Sequence, residues 1–170
     1  IPDLDKDGFM KVGNIENYEV LKFLPRGYQF INYKYTIRGC SLSTFHRDVT
    51  SSQYIFKTKH PVYTLGRYYN TGPHISVCPG SHKTVPILLT TPKTVYGKKG
   101  DAYLFNCDLV HAGGLHNFNN ERYFEQFKII HNDDINKIPG LKNNFVNKVG
   151  DCNISNTYEI ISRKISILFS

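Results

Sequence analysis

The 170 residues contain no tryptophan and a single methionine, so aromatic bulk falls to 12 Tyr and 11 Phe. No apolar run approaches the roughly 20 residues of a membrane-spanning helix, and the opening residues lack the basic-apolar-small order of a secretory signal. The four cysteines, Cys40, Cys78, Cys107 and Cys152, are far apart and form no C-x-x-C pair. Zinc-ribbon and thioredoxin-like readings therefore fail. Reduced, mostly buried thiols are the expectation, and with them a cytoplasmic location. The lone sequon at Asn153-Ile154-Ser155 is too common a pattern to overturn it. Long charge runs are missing too. Lys and Arg number 21 against 14 Asp and Glu, a net of +7. The basic residues come as short pairs, such as Lys57 with Lys59, Lys98 with Lys99 and Arg163 with Lys164. A solvated surface is favoured over a nucleic-acid groove, which needs clustered cations.

What is present is strand-and-turn chemistry. Hydrophobic residues make up 40% and charged residues 21%, ordinary for a globular domain. The length suits one domain, 1–170, able to bury about 70% of its unfolded surface. Residues 14–24 read as a short amphipathic helix, with Asn14 as cap and Pro25 past its end. From Gly27 onward Tyr, Phe, Ile, Val and Thr fill short segments broken by Gly, Pro and Asn. Strands are expected at 28–38, 43–50, 62–69, 74–78, 86–90, 101–106 and 122–131. Such a series argues for a mostly β, closed or two-sheet architecture. After His131 the chain turns Asn-rich, and periodicity returns only near 158–169. Residues 132–170 are thus an extension of unknown role on a core of 4–131.

Three features carry chemistry. In Phe45-His46-Arg47-Asp48, residues two apart on a strand share a face and offer an imidazole beside a carboxylate. In Val110-His111-Ala112-Gly113-Gly114, a strand-like run ends in glycines. Arg122 follows His111 by eleven residues in another strand-like run. Each has a plain alternative: a local ion pair, a satisfied core histidine, a solvated charge. Together they match the two-histidine, one-carboxylate face that holds non-haem Fe(II) and leaves positions open.

These residues, with four further stretches, resemble the phytanoyl-CoA dioxygenase superfamily of Fe(II)- and 2-oxoglutarate-dependent oxygenases, which includes the ectoine hydroxylases. Leu4-Asp-Lys-Asp-Gly-Phe9 is similar to the opening acidic-x-x-G-F segment. Ile31-Asn-Tyr-Lys34 precedes the H-x-D stretch as in the family. Gly72-Pro-His-Ile-Ser-Val-Cys-Pro-Gly-Ser-His82 resembles the N-G-P-L-x-x-x-P-G-S-H stretch, and Gly100-Asp-Ala-Tyr-Leu-Phe105 the G-D-x-x-x-F strand.

The resemblance implies a double-stranded β-helix (a jelly-roll, cupin-like) with a short N-terminal helix. It implies Fe(II) on His46, Asp48 and His111, and 2-oxoglutarate with its distal carboxylate on Arg122, whose planar fork suits a carboxylate. Asn32 matches a co-substrate-binding Asn, with strand-edge hydrogen bonding as the other reading, and Thr64 could also reach the co-substrate. O2 is the second co-substrate and ascorbate a candidate reductant. Gly113 departs from the pattern, which often has Ser or Thr there. The stretch between Asp48 and His60 is a short substrate cover, and Tyr54 could stand in for the aromatic that the family places after the H-x-D. Asp48, where halogenases have a small residue, points to hydroxylation with succinate and CO2 as co-products. A small-molecule substrate is expected, and the +7 hints at an anionic one. The alternative from another class is a jelly-roll binding or sensing module that retains the site. A nucleic-acid-associated β domain ranks below both.

Overall fold

The computed structural model describes residues 3–39, 44–83, 91–114, 122–149 and 157–170. A single turn of helix, α1 (Leu4–Asp7), opens the chain; Asp3 caps it by accepting from the backbone N–H of Asp5 and Lys6. Gly8 closes it in the left-handed region at φ 82°, against the His82 ring, so only glycine fits there.

The strands are β1 (Phe9–Gly13), β2 (Tyr28–Phe30), β3 (Tyr33–Gly39), β4 (Tyr63–Tyr68), β5 (Gly72–Val77), β6 (Lys93–Gly97), β7 (Ala102–Asn106), β8 (His111–Gly113), β9 (Arg122–His131) and β10 (Asn144–Val149). The larger sheet runs β1-β7-β4-β9-β3-β10, with β2 also on β9, and the smaller runs β6-β5-β8. All pairings are antiparallel except β3 with β10. The two sheets form the mostly β, double-stranded β-helix expected from the resemblance. None of the described helices is long and apolar enough to cross a membrane.

Side-chain alternation decides what each sheet buries. Phe9, Tyr68, Tyr103, Phe105 and Phe124 of the larger sheet meet Ile75 and Val77 of the smaller in one cluster. Opposite faces bury separately. Leu65, Leu104 and Ile129 pack with Val20 of the 3-10 helix Asn17–Phe23, while Phe45, Cys78, Val110 and Ala112 pack with Ile167 near the C-terminus. Cys78 and Cys107 are buried free thiols; Cys40 and Cys152 lie outside the described residues.

The local expectations need several corrections. The 14–24 helix is a 3-10 helix beginning at Asn17, and Glu16, reciprocated by Glu19, caps it in place of Asn14. Arg67 is the reason: its guanidinium takes the Ile15 carbonyl and the Asn17 side chain, holding the chain extended up to that point. The 28–38 strand is broken at Ile31-Asn32, where the chain switches from β2 to β3. The 43–50 strand shrinks to an isolated bridge between His46 and His111, followed at once by a 3-10 turn, Val49–Ser51. The 86–90 strand lies outside the described residues. Strand β6 was not anticipated.

Nor was the order of the C-terminal stretch. Strand β10 adds parallel to β3 as the edge of the larger sheet, with Asn144 beside Tyr33 and Lys148 beside Ile37. Helix α3 (Thr157–Ser166) then reaches the smaller sheet. Ser166 accepts the Phe45 N–H at 2.9 Å, and Arg163 donates to Ser76 at 3.2 Å.

Candidate metal centre

The backbone brings His46 and His111 opposite one another. Each donates its N–H to the other's carbonyl at 3.0 Å, and Asp48 N–H donates to Cys107 at 2.9 Å. Arg47 points away and staples the turn by donating to the Ser81 and Asp108 carbonyls at 2.8 and 2.6 Å.

Each imidazole is oriented through its Nδ1, which donates to a carbonyl two residues upstream. His46 uses Thr44 and His111 uses Leu109, both at 2.8 Å. That fixes the tautomer and turns a bare Nε2 lone pair inward. The two Nε2 atoms lie 3.6 and 3.4 Å from the same oxygen, Asp48 Oδ1. Burial pushes the His111 imidazolium down to about 4, against the pull of Asp48, so this ring is neutral at pH 7. Phe105 packs on it at 4.6 Å between centroids.

The other carboxylate oxygen is anchored. Asp48 Oδ2 accepts from Lys128 Nζ at 2.6 Å, Thr64 Oγ1 at 3.0 Å and Gln126 Nε2 at 3.1 Å. Burial alone would raise the carboxyl pKa, but Lys128 and then His111 more than offset it and hold Asp48 ionised. Lys128 is itself buried, and Asp48 overcomes that burial to keep its ammonium charged. The result is a one-sided carboxylate, with Oδ2 fixed to the protein and Oδ1 presented to the histidines.

A cavity of about 400 Å³ opens over these groups. Strand β9 supplies alternate residues to its wall, Arg122, Phe124, Gln126 and Lys128, and β3 supplies Tyr33, Tyr35 and Ile37. Arg122 is buried, and its Nε has no hydrogen-bond partner. The guanidinium lies where a Cβ on residue 113 would stand. Glycine at that position is therefore what admits the arginine, which gives the departure from the family pattern a steric reason. Arg163 sits behind it, 4.9 Å over the Phe45 ring; burial, aided by the charge of Arg122, lowers its pKa to about 10.

The structure thus brings His46, Asp48 and His111 together, with Arg122 on the wall of the same cavity. Thr64 is adjacent but faces Asp48 from the core. Asn32 is elsewhere: it is exposed, donates to Asn143 at 2.6 Å and does not line the cavity, so the co-substrate role suggested for it has no geometric support here. The strand break at Ile31-Asn32 turns it out. Sequence reasoning missed Lys128, Gln126, Lys148 and Arg163. The first two were legible, since 122, 124, 126 and 128 share a face once β9 is a strand.

No protein-family model matches the chain, and no curated protein does either. Solved structures do. EvdMO1 aligns at TM-score 0.53 and 13% identity, over 75% of this chain and 48% of its own. SnoN, described as a non-heme alpha ketoglutarate dependent epimerase from nogalamycin biosynthesis, aligns at 0.53 and 12%, over 75% and 79%. HygX from Streptomyces hygroscopicus, with iron bound, aligns at 0.52 and 15%, over 74% and 83%. The chain spans about half the length of EvdMO1 and about four-fifths of the other two. At these identities the likeness is one of fold.

Proposed function

We propose that the chain is an Fe(II)- and 2-oxoglutarate-dependent oxygenase that hydroxylates a small molecule, with succinate and CO2 as co-products. One observation carries this reading: two Nε2 lone pairs and one carboxylate oxygen converge, each ligand's second heteroatom already being committed to the protein. All the donor atoms lie within 4.8 Å of one another, and this N2O set suits Fe(II). The fold is shared with SnoN, whose description names an alpha ketoglutarate dependent enzyme, and with HygX, which has been seen with iron bound.

The residues present fit both groups. His46, Asp48 and His111 would hold the metal. Arg122, buried with an orphaned Nε and backed by a second guanidinium, asks for an anion, and the distal carboxylate of 2-oxoglutarate would supply one. When bound, Fe(II) supplies the redox chemistry that couples O2 reduction and 2-oxoglutarate decarboxylation to substrate oxidation. The protein's share is positional. Lys128, Thr64 and Gln126 keep Asp48 presenting one oxygen, the Thr44 and Leu109 carbonyls keep both imidazoles aimed, and Tyr68, Ile75 and Phe124 dry the interior side of the cavity. Hydroxylation is the outcome proposed because a carboxylate occupies position 48. SnoN, described as an epimerase, places another outcome on this fold. The closer likeness to ectoine hydroxylases gains nothing from Asn32, which lies off the cavity.

The test is succinate formation by purified protein with Fe(II), 2-oxoglutarate, O2 and ascorbate, without added substrate. Slow uncoupled succinate release that vanishes in Asp48→Ala supports the reading. No metal uptake and no succinate would end it; tight binding of both groups without succinate would select the sensing module instead.

A further inference from the structure

The charges around the cavity do not balance. Among the described lining residues one carboxylate, Asp48, faces three cations, Arg122, Lys128 and Lys148. The proposed ligands leave this unchanged, because a divalent metal and a dicarboxylate cancel. Arg122 is assigned to the co-substrate and Lys128 is held by Asp48 at 2.6 Å. Lys148 remains. It comes from β10, whose register sets it beside Ile37, on the same side of the sheet as the cavity-lining Tyr33, Tyr35 and Ile37. It is exposed, and among the described residues it has no carboxylate partner. The same cavity wall carries groups that can hydrogen-bond an oxyanion, the Tyr33 and Tyr35 hydroxyls and the Gln126 amide, which also donates to Asp48.

We infer that the substrate carries a carboxylate or phosphate, and that Lys148 is the residue that selects it. The inference rests on the oxygenase reading and extends it to substrate class. A neutral substrate would leave two positive charges unmatched in a partly enclosed cavity, and a cationic one would add to them. An anion entering at the mouth meets Lys148 first, and the field of Lys128 and the metal acts in the same direction.

The experiment uses protein loaded without oxygen with Ni(II), then 2-oxoglutarate, each uptake followed by calorimetry. Phenylbutanoate, phenylbutyl phosphate and phenylbutanol are then titrated in. At least one anion should bind about fivefold or more tightly than the alcohol, in the range of a single well-placed charge pair. Lys148→Gln should remove that preference and Lys148→Arg retain it, with Ni(II) and 2-oxoglutarate affinities unchanged in both. The stronger of the two anions identifies the carboxylate or phosphate class. Equal binding of alcohol and anions, no binding of either anion, or a preference that survives Lys148→Gln would overturn the inference while leaving the oxygenase reading intact. Failure at the Ni(II) or 2-oxoglutarate step would instead remove the reading beneath it, and the inference with it.

Discussion

Among the described residues two groups have the same composition, two histidines and an aspartate with ligand atoms within 4.8 Å: His46, Asp48, His111 and His60, His131, Asp133. Composition does not separate them, but hydrogen bonding does. In the first group both Nδ1 atoms donate to carbonyls, so both Nε2 lone pairs are free and converge on one oxygen. In the second, His131 Nδ1 accepts the Asp133 N–H at 3.2 Å, which leaves Nε2 as the donor to the Arg26 carbonyl. No lone pair remains on that ring. The His60 and His131 rings lie 3.7 Å apart and tilted by 30°, closer and more nearly parallel than His46 and His111 at 4.5 Å and 55°. Lys59 also occupies the Asp133 carboxylate, at 3.3 Å. In the first group Lys128 takes only Oδ2 and leaves Oδ1 facing the two Nε2 atoms; in the second Lys59 and the His60 Nε2 both fall on Oδ2 of Asp133.

The widest separation is expected in metal affinity. Asp48→Ala should weaken Co(II) or Fe(II) binding by more than about a hundredfold, beyond the range for outer-sphere partners. His131→Ala should leave it within about twofold, since no ligand is lost. Anaerobic equilibrium dialysis measures both. The reverse ranking would exchange the roles of the two groups.

Lys128 gives the next largest effect. In metal-free protein Lys128→Met leaves Asp48 buried without its cation, a loss of about 3–5 kcal/mol in urea unfolding. Added divalent metal should stabilise the variant more than it stabilises the parent, because it replaces the missing charge. Equal metal-induced stabilisation in both would mean that Lys128 and the metal site are uncoupled.

The second region has its own anchor in Asp134, which is buried and accepts the backbone N–H groups of Lys59 and His60 at 2.7 and 2.8 Å. Asp134→Ala strands both donors, for a loss of about 2–3 kcal/mol, with metal affinity unchanged. Burial pushes this carboxyl pKa up, but the two N–H groups and Lys137 outweigh it and hold it below its ordinary 3.8. The sign follows: the contribution is complete above pH 3.8 and is lost as the pH falls through the lower folded value. A parent-minus-variant stability difference that stays flat below pH 4 would contradict it.

How much of this was legible beforehand differs by region. Strand β9 was bounded at Arg122 and His131 because a Tyr-, Phe- and Ile-rich segment runs there between Asn-rich flanks. The grouping of His46, Asp48 and His111 was reached by a strand argument that is only partly right: His46 is in a bridge, but Asp48 leaves it at ψ 72° to start a 3-10 turn. The two side chains converge because His111 pairs with His46 and Cys107 takes the Asp48 N–H, contacts at long sequence separation that no local pattern reveals. Strand β10 was missed for a related reason. Asn144-Phe-Val-Asn-Lys-Val149 has weak strand character and becomes one through its parallel pairing with β3. Lys148 was lost with it. Arg163 read as half of a surface pair, and only the packing of α3 buries it.

The smallest expected effect is the sharpest check on the comparison. Asp133 is exposed and carries the His60 and Lys59 contacts, which lower its carboxyl pKa through hydrogen bonding. On a ligand count it matches Asp48, so a metal-site reading of the second group makes Asp133→Asn as damaging to metal uptake as Asp48→Asn. The hydrogen-bond reading makes it nearly silent. Screened surface pairs contribute little, and an amide oxygen can still accept from both neighbours. Asp133→Asn should therefore shift neither the melting temperature nor Co(II) affinity measurably at physiological salt, while Asp48→Asn, which swaps an ionised ligand for a neutral one beside Lys128, abolishes uptake. A melting temperature for Asp133→Asn that falls only when Co(II) is present would expose a second metal site and undo the distinction.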